Sequence, residues 1–437
     1  MRFTWSVLVA AFVSCAQPPP ATERRPPNII FILSDDMGFA DLGCTGATDI
    51  RTPHIDRIAR EGASFTDFYS NGPVCTPTRA AFITGRYQQR VGLEWAIFPG
   101  QKEPGLRTSE TSIARMLKDR GYSTALFGKW HLGYKPEFSA NAHGFDEFFG
   151  LLSGNHDFYS HKENNGELDL VEGTASVEMA GYTTDLLTER ADKFVRNRGN
   201  APFFLYLAYN AVHWPFQPPD RPDTVRTRDT WYSGTREDYK GMLERMDHGV
   251  GRILKALDEL GLSENTIVVF TNDNGGERLS NNTPFSNRKG TLWEGGIRVP
   301  CVVRWPGRIP AGSVCRQAAI TMDMTSTLLA AADAKPPSGR RLDGIDLLPA
   351  LQGRAAPIER TFFWRIDRPQ IKQKAARQGN LKYLREREKE RLFDVASDPG
   401  EKTDLASARP EKVGELRELL ARWEAEMDAS NPPFKVK

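Results

Sequence analysis

The sequence predicts an α/β protein: a large, mostly parallel sheet sandwiched by helices, followed by a smaller C-terminal antiparallel sheet and a helix. Three observations in the 437-residue chain carry this. Four short apolar runs each end in a cluster of polar or charged residues. Amphipathic stretches at helical spacing fall between them. Beyond residue 355 the pattern changes to short strand-like runs joined by polar turns. Continuous apolar runs of this length suit strands buried on both faces. Intervening helices are the crossovers that parallel strands require.

Composition is that of an ordinary globular protein, with 39% hydrophobic residues, enough for a large core. Lys and Arg number 58 against 56 Asp and Glu, interspersed and without a basic tail, so no nucleic-acid partner is expected. Residues 1–15 read as an export signal, with Arg2 ahead of an apolar core at 7–13. Its end, Phe12-Val13-Ser14-Cys15, resembles a bacterial lipobox. The chain is either lipid-anchored at Cys15 or cut nearby as an ordinary signal peptide. Residues 16–27, rich in proline, read as a tether. The expected location is periplasm or cell surface. No other run is long and apolar enough to span a membrane.

The first buried strand, 28–33, ends in Ser34-Asp35-Asp36. A helix at 52–59 opens with Thr52 as cap and Pro53 behind it. In the run 72–86, Thr76 is expected to cap a helix, Pro77 to take its first position and Gly85 to stop it. Cys75 then lies just before a helix N-terminus, where an anion is favoured, and Arg79 lies one turn in. Such a group makes an anion site around a nucleophile; the plainer reading is a structural cysteine. A helix at 112–118 leads to the second strand, 122–127, which ends in Gly128-Lys129-Trp130-His131. A helix at 184–195 precedes the third strand, 203–208, which ends in Tyr209-Asn210 and then His213. The long helix 238–260 precedes the fourth, 266–270, which ends in Thr271-Asn272-Asp273-Asn274-Gly275-Gly276. A further strand at 299–305 and a helix at 325–332 complete a catalytic region spanning 28–355. Open parallel sheets bind ligands beyond the carboxyl ends of their strands, so all four polar clusters can meet at one edge.

The C-terminal region, 356–437, carries strand-like runs at 362–365, 381–384 and 391–394. Its closing helix, 410–427, puts Val413, Leu416, Leu420, Trp423 and Met427 on one stripe. With Cys15 and Cys75 assigned, Cys44, Cys301 and Cys315 remain. Cys301 and Cys315 could bridge in an oxidising compartment, although spacing alone does not fix their separation.

Asp35, Asp36, Asp273 and Asn274 offer only oxygen ligands, which suits calcium or magnesium and not zinc. Adjacent acids commonly cap helices or sit in solvent. Two strand ends that each supply a pair favour a shared cation.

Cys75-Thr76-Pro77-Thr78-Arg79, with Gly85-Arg86, resembles the Cys-x-Pro-x-Arg signature of the formylglycine-dependent sulfatases of the alkaline phosphatase superfamily. Thr78 stands where that family usually has Ser or Ala. Gly128-Lys129-Trp130-His131-Leu132-Gly133 matches its second signature. His213-Trp214-Pro215-Phe216 and the run 288–296 around Lys289 resemble further elements, and Leu392-Phe393-Asp394, Asp398-Pro399, Glu401 and Asp404-Leu405 resemble its C-terminal end. The resemblance covers the mature chain. It implies that a separate maturation enzyme oxidises Cys75 to formylglycine. It also implies that Asp35, Asp36, Asp273, Asn274 and residue 75 hold one calcium ion, and that Arg79, Lys129, His131, His213 and Lys289 are catalytic. The hydrated aldehyde, deprotonated by Asp273, would attack sulfur. His213 or Lys289 would protonate the leaving oxygen, and His131 would help sulfate depart. Singly, each histidine reads as a core hydrogen-bonder; His54, His143, His161 and His248 keep that reading.

Candidate walls for a sugar-binding pocket are Trp95, His156, Asp157, Tyr159, Trp214 and Arg278, all in loops after the core motifs; they could equally serve packing. The expected substrates are sulfated polysaccharides or oligosaccharides. Two rivals are a phosphonate or phosphate monoester hydrolase of the same superfamily and a non-catalytic sulfated-glycan binder with unmodified Cys75. A two-zinc enzyme lacks evident ligands for its second metal.

Overall fold

A computed structural model describes residue 1 and residues 25–198, 201–222 and 226–430. Cys15, the candidate lipidation site, and most of the signal and tether lie outside the described residues.

The strands in chain order are β1 (Asn28–Ser34), β2 (Ala63–Phe65), β3 (Phe68–Tyr69), β4 (Ser123–Lys129), β5 (Glu147–Leu151), β6 (Val171–Glu172), β7 (Ala175–Ser176), β8 (Phe203–Ala208), β9 (Thr266–Asn272), β10 (Cys301–Arg304), β11 (Ser313–Cys315), β12 (Ala319–Ile320), β13 (Thr361–Asp367), β14 (Lys372–Gln378), β15 (Leu381–Glu386) and β16 (Lys389–Asp394). Ten of them form one mixed sheet in the order β11-β2-β10-β9-β1-β8-β4-β5-β6-β7. At its centre β1 runs parallel to both neighbours, with Ile29 opposite Phe204 on one side and Ile267 on the other. The four apolar runs of the sequence are thus β1, β4, β8 and β9, adjacent and all pointing one way. The strand expected at 299–305 is β10, which pairs antiparallel with β9.

Helices α1 (Pro53–Arg60), α2 (Cys75–Thr84), α3 (Ile113–Lys118), α4 (Thr183–Asn197), α5 (Arg236–Glu259), α6 (Glu294–Ile297), α7 (Thr321–Ala331) and α8 (Leu348–Leu351) precede the closing α9 (Pro410–Ser430). Period-two alternation divides the sheet's faces. Ile29, Phe31 and Leu33 pack in one core with Phe82 of α2 and Leu328 of α7. Ile30 and Ile32 pack in a second with Leu187 of α4 and Met246 and Ile253 of α5. A third core joins β13–β16 to the α9 stripe and reaches Tyr69, Leu292 and Ile297 beside the large sheet.

Two local expectations, the caps at Thr76 and Thr52, are corrected, and the open question of a Cys301–Cys315 bridge is answered. Helix α2 begins at Cys75 itself, with Val74 as N-cap, and no side chain caps it. Thr76 instead donates its hydroxyl to the His131 carbonyl at 3.0 Å. Thr52 also caps nothing; its hydroxyl lies between the Gly43 N–H and Asp56. Cys301 and Cys315 are free thiols. They sit on β10 and β11, which flank β2, and two inter-strand spacings are about 10 Å. That exceeds the reach of a disulfide. Strand β14, Lys-Gln-Lys-Ala-Ala-Arg-Gln, carries almost no apolar alternation and had no signal to be read from. Among the described residues no helix is long and apolar enough to cross a membrane.

Candidate active site

The carboxyl ends of β1, β4, β8 and β9 bring their polar clusters together. Ser34 ends β1, so Asp35 and Asp36 stand just past its edge, both buried. Asn272 ends β9, with Asp273 and Asn274 beyond it, neither exposed at all. The two loops are stitched together: Asp273 N–H donates to Ser34 O, and Asn274 Nδ2 donates to Asp36 Oδ1 at 2.9 Å. Glycine permits the close approaches. A Cβ on Gly275 would lie 1.8 Å from the Gly295 carbonyl oxygen, and one on Gly128 would lie 1.8 Å from that of Ala208.

Cys75 opens α2 with its thiol donating to Asp35 Oδ1 at 3.5 Å. Burial, followed by the Asp35 charge, pushes this thiol up to about 12, so the sulfur is protonated at neutral pH. Ligand-type atoms of Asp35, Asp36, Cys75 and His213 lie within 4.8 Å of one another. His213 was not among the expected metal ligands. Its Nε2 is 3.4 Å from Asp36 Oδ2.

Two buried cations, Arg79 and Lys129, and the half-buried Lys289 face three buried carboxylates. Lys129 Nζ is 2.5 Å from Asp35 Oδ2, and Lys289 Nζ is 2.7 Å from Asp36 Oδ2. Arg79 donates through Nε and Nη2 to Asp273 Oδ2 and through Nη1 to the Lys129 carbonyl. Arg79 therefore enters the site as the partner of Asp273, with its guanidinium already committed. Burial alone would lower the Lys289 ammonium, but the Asp36 carboxylate beside it, with Asp35, holds it above the ordinary lysine value. Burial and the neighbouring Asp35 raise Asp273 to about 6 despite Arg79.

The acceptors on this cluster are unevenly used. Asn274 Oδ1 is buried with no hydrogen-bond partner. Asp35 Oδ1 receives only the long thiol contact, and Asp273 Oδ1 only the Asp36 N–H at 3.5 Å. Under-satisfied hard oxygens in a sealed site fit a divalent cation of the calcium type.

The two histidines are held in defined tautomers. His131 Nε2 lies 2.8 Å from the Ile97 carbonyl, so that nitrogen carries the proton and the buried, unpartnered Nδ1 is an acceptor. His213 Nδ1 lies 2.7 Å from the Trp214 carbonyl, which leaves Nε2 as the nitrogen facing Asp36. Burial lowers both imidazoles, His213 to about 3. The carbonyl partners are backbone groups, which have no sequence signal.

A sulfatase family profile matches residues 27–334, and one for the N-sulphoglucosamine sulphohydrolase C-terminal region matches 285–426. N-acetylgalactosamine-6-sulfatase of Canis lupus familiaris is 36% identical over 393 residues, 83% of this chain and 72% of the relative. The chain belongs to the sulfatase family. Steryl-sulfatase of Mus musculus is 34% identical, over 82% of this chain and 70% of its own. Among solved structures, Ps i-CgsB superposes with a TM-score of 0.85 at 33% identity, covering 94% of both chains, and has also been solved in complex with k-i-k-neocarrahexaose. This sulfatase is accordingly a sulfuric ester hydrolase.

The proposed pocket walls separate into two groups. His156 is wholly buried between the Asp169 carbonyl and the Thr183 hydroxyl. Asp157, also buried, accepts from Gln217 and from the backbone of Tyr159, Ser160 and Arg226. Both hold the loop together and have no free polar atom for a sugar. Tyr159 is partly buried, its hydroxyl donating to the Pro218 carbonyl. Trp214 packs against His213 at 4.2 Å between ring centroids, beside the acidic cluster. Arg278 lies over Phe216, and Trp95 lines a cleft of about 580 Å³ with Phe98 and Arg368.

Proposed function

We propose that this sulfatase hydrolyses sulfate esters on saccharides, using a formylglycine made from Cys75 and one calcium ion. The supporting observation is the under-satisfied oxygen set of Asp35, Asp273 and Asn274 gathered around the first residue of α2, in a chain whose relatives are named sulfatases. Once oxidised and hydrated, residue 75 would supply one hydroxyl to attack sulfur and a second through which sulfate is released, with calcium polarising the ester.

The remaining work falls to the chain's own side chains. Asp35, Asp36, Asp273 and Asn274 hold the cation. Arg79 fixes Asp273, which takes the proton of the attacking hydroxyl. Lys129 and Lys289 place ammonium groups where charge on the sulfuryl oxygens develops. The Lys289 ammonium hands a proton to the leaving oxygen; His213 is the other donor, once its Nε2, bare in the neutral ring, has itself taken up a proton. His131 accepts a proton at Nδ1 when the sulfated residue discharges. Trp214 and Trp95 offer aromatic surface for a sugar ring, with Tyr159 and Arg278 at the loop rim.

A saccharide substrate is favoured by two relatives: one named for N-acetylgalactosamine 6-sulfate, one solved with a neocarrahexaose. A third relative is named for steryl sulfate, which makes that ester the sharpest competitor. The test is a panel of defined sulfated saccharides, a steryl sulfate, an aryl sulfate and the matching phosphate esters, scored for released anion. Sulfate release from a saccharide is expected to be fastest. Faster turnover of the steryl sulfate or of a phosphate ester would refute the saccharide reading. Binding of sulfated saccharide without release would instead support a non-catalytic binder. Export, and a lipid anchor at Cys15, belong to the same proposal and are checked by the mass of the mature N-terminus.

A further inference from the structure

The C-terminal run from Leu392 to Leu405 has no part in the mechanism above. In the structure most of its acids build a turn. Asp394 Oδ1 accepts from Ala396 N–H, Asp398 Oδ2 from Lys402 and Thr403 N–H, and Asp404 Oδ1 from Leu392 and Ala406 N–H. Glu401 differs. It sits in the left-handed region (φ 52) and turns inward, only 5% exposed. Its Oε1 accepts from Lys382 Nζ at 2.8 Å. Its Oε2 accepts from Ser286 Oγ and from Glu294 N–H, each at 2.7 Å. Lys382, on β15, is fully buried and donates its second bond to Glu294 Oε1.

Ser286 and Glu294 are the two ends of the loop that carries Lys289. The C-terminal sheet grips the same loop again, since Leu292 N–H donates to Gln373 Oε1 at 2.7 Å. On its other side Gly290 N–H donates to Pro73 O, two residues before Cys75. We infer that Glu401, backed by Lys382, is a positioning residue for catalysis: it clamps both ends of the 286–294 loop and so sets Lys289 against the sulfuryl group. Lys289 is a long, flexible side chain, and its Nζ is placed only as well as its backbone is. A displacement of about 1 Å at a reacting centre costs on the order of 10²-fold in rate. Lys382 is shared between Glu401 and Glu294, so the clamp is a closed ion network that acts through geometry.

The inference rests on Lys289 acting on the sulfuryl group, and one experiment separates the two. Glu401→Ala, Ser286→Ala and Lys289→Ala are made singly, and the first two also in the Lys289→Ala background. kcat and KM are measured on a sulfate ester, together with thermal midpoints. Glu401→Ala should lower kcat/KM by ~10-fold or more, and Ser286→Ala by less. In the Lys289→Ala background the further loss should shrink to under about twofold, as residues acting through one another require. Equal losses in both backgrounds would show a merely structural role and overturn the inference. Undiminished kcat/KM in a folded Glu401→Ala protein would do the same. Should Glu401→Ala not fold, Ser286→Ala decides alone, because it removes one hydroxyl and no charge. Unchanged activity of Lys289→Ala would defeat the catalytic reading of Lys289 itself.

Discussion

Two largely buried clusters in this molecule hold the same charges and use them differently. At the edge of the large sheet, Asp35, Asp36 and Asp273 face Arg79, Lys129 and Lys289. At the junction with the C-terminal sheet, Asp67, Glu294 and Glu401 face Arg298, Arg377 and Lys382. At the junction every carboxylate oxygen has a donor, with Tyr69, Thr66, Ser286 and the Glu294 N–H completing the set. At the sheet edge Asn274 Oδ1 has none, and two carboxylate oxygens have only contacts of 3.5 Å. A network whose acceptors are all met fixes a fold, whereas one left short of donors is built to receive something.

The largest effect that would sharpen this contrast is at Cys75. Cys75→Ala should reduce turnover on the order of 10⁵-fold or more, as loss of a nucleophile does elsewhere, with little change in thermal midpoint. Peptide mass spectrometry of active protein should show the thiol replaced by an aldehyde. Full activity with only unmodified Cys75 would break the comparison at its centre.

Next comes the cation. Asp35→Ala or Asp273→Ala should lose bound calcium and about 10³-fold in rate together, in keeping with the several kcal/mol a Lewis acid supplies. Elemental analysis is the readout, and stoichiometric zinc would contradict the oxygen set. Chelation should lower the thermal midpoint of the intact enzyme and calcium should restore it, since a ligand bound only by the native state stabilises it.

The junction should respond in the opposite sense. Lys382→Met strands Glu294 and Glu401, and breaking a buried pair in this way costs about 3–5 kcal/mol. The calcium content of the folded fraction should not change. Denaturant midpoints at fixed calcium measure the first, elemental analysis the second. The pH profile provides another check. Burial would raise Glu294, but Lys382 and Arg298 hold it down to about 2 from the ordinary 4.5. Its stabilisation is therefore present above about 4.5 and is lost as pH falls toward 2. Without Lys382 that acid limb should move upward in pH.

The two clusters were also unequally legible in the sequence. The sheet-edge set could be read because buried parallel strands are continuous apolar runs, and Asp35, Lys129, His213 and Asp273 follow directly behind four of them. The junction set was invisible for the converse reason. Lys382 sits between Leu381 and Tyr383 in a strand buried on both faces at 382–384, and nothing local in the sequence distinguishes a buried lysine from a solvated one. Its partners are distant in the chain, Glu294 by 88 residues. The same limit concealed β14 and misplaced the start of α2. Thr76 has the right chemistry for a cap, but the His131 carbonyl, 55 residues away, takes its hydroxyl. His156 and Asp157 looked like pocket walls because they lie in a loop after the core motifs, while their burial depends on Thr183, Gln217 and Arg226 arriving from elsewhere.

The smallest expected effect, and the most discriminating within the sheet-edge cluster, lies in the division of labour between His213 and His131. Their orientations differ: His213 is tied through Nδ1 and points Nε2 at Asp36, whereas His131 is tied through Nε2 and leaves Nδ1 free. A general acid matters most when the leaving group is poor, and such help is worth about 10²-fold or more. A sugar alkoxide is a poor leaving group, and a nitrophenolate a far better one. His213→Ala should therefore slow a sulfated sugar by ~100-fold while slowing a nitrophenyl sulfate much less. His131→Ala acts after the alcohol has gone. It should slow both substrates alike and accumulate protein heavier by one sulfate, visible by intact mass after an acid quench. Equal losses for His213→Ala on the two esters, with sulfated protein trapped in that variant instead, would reverse the two assignments.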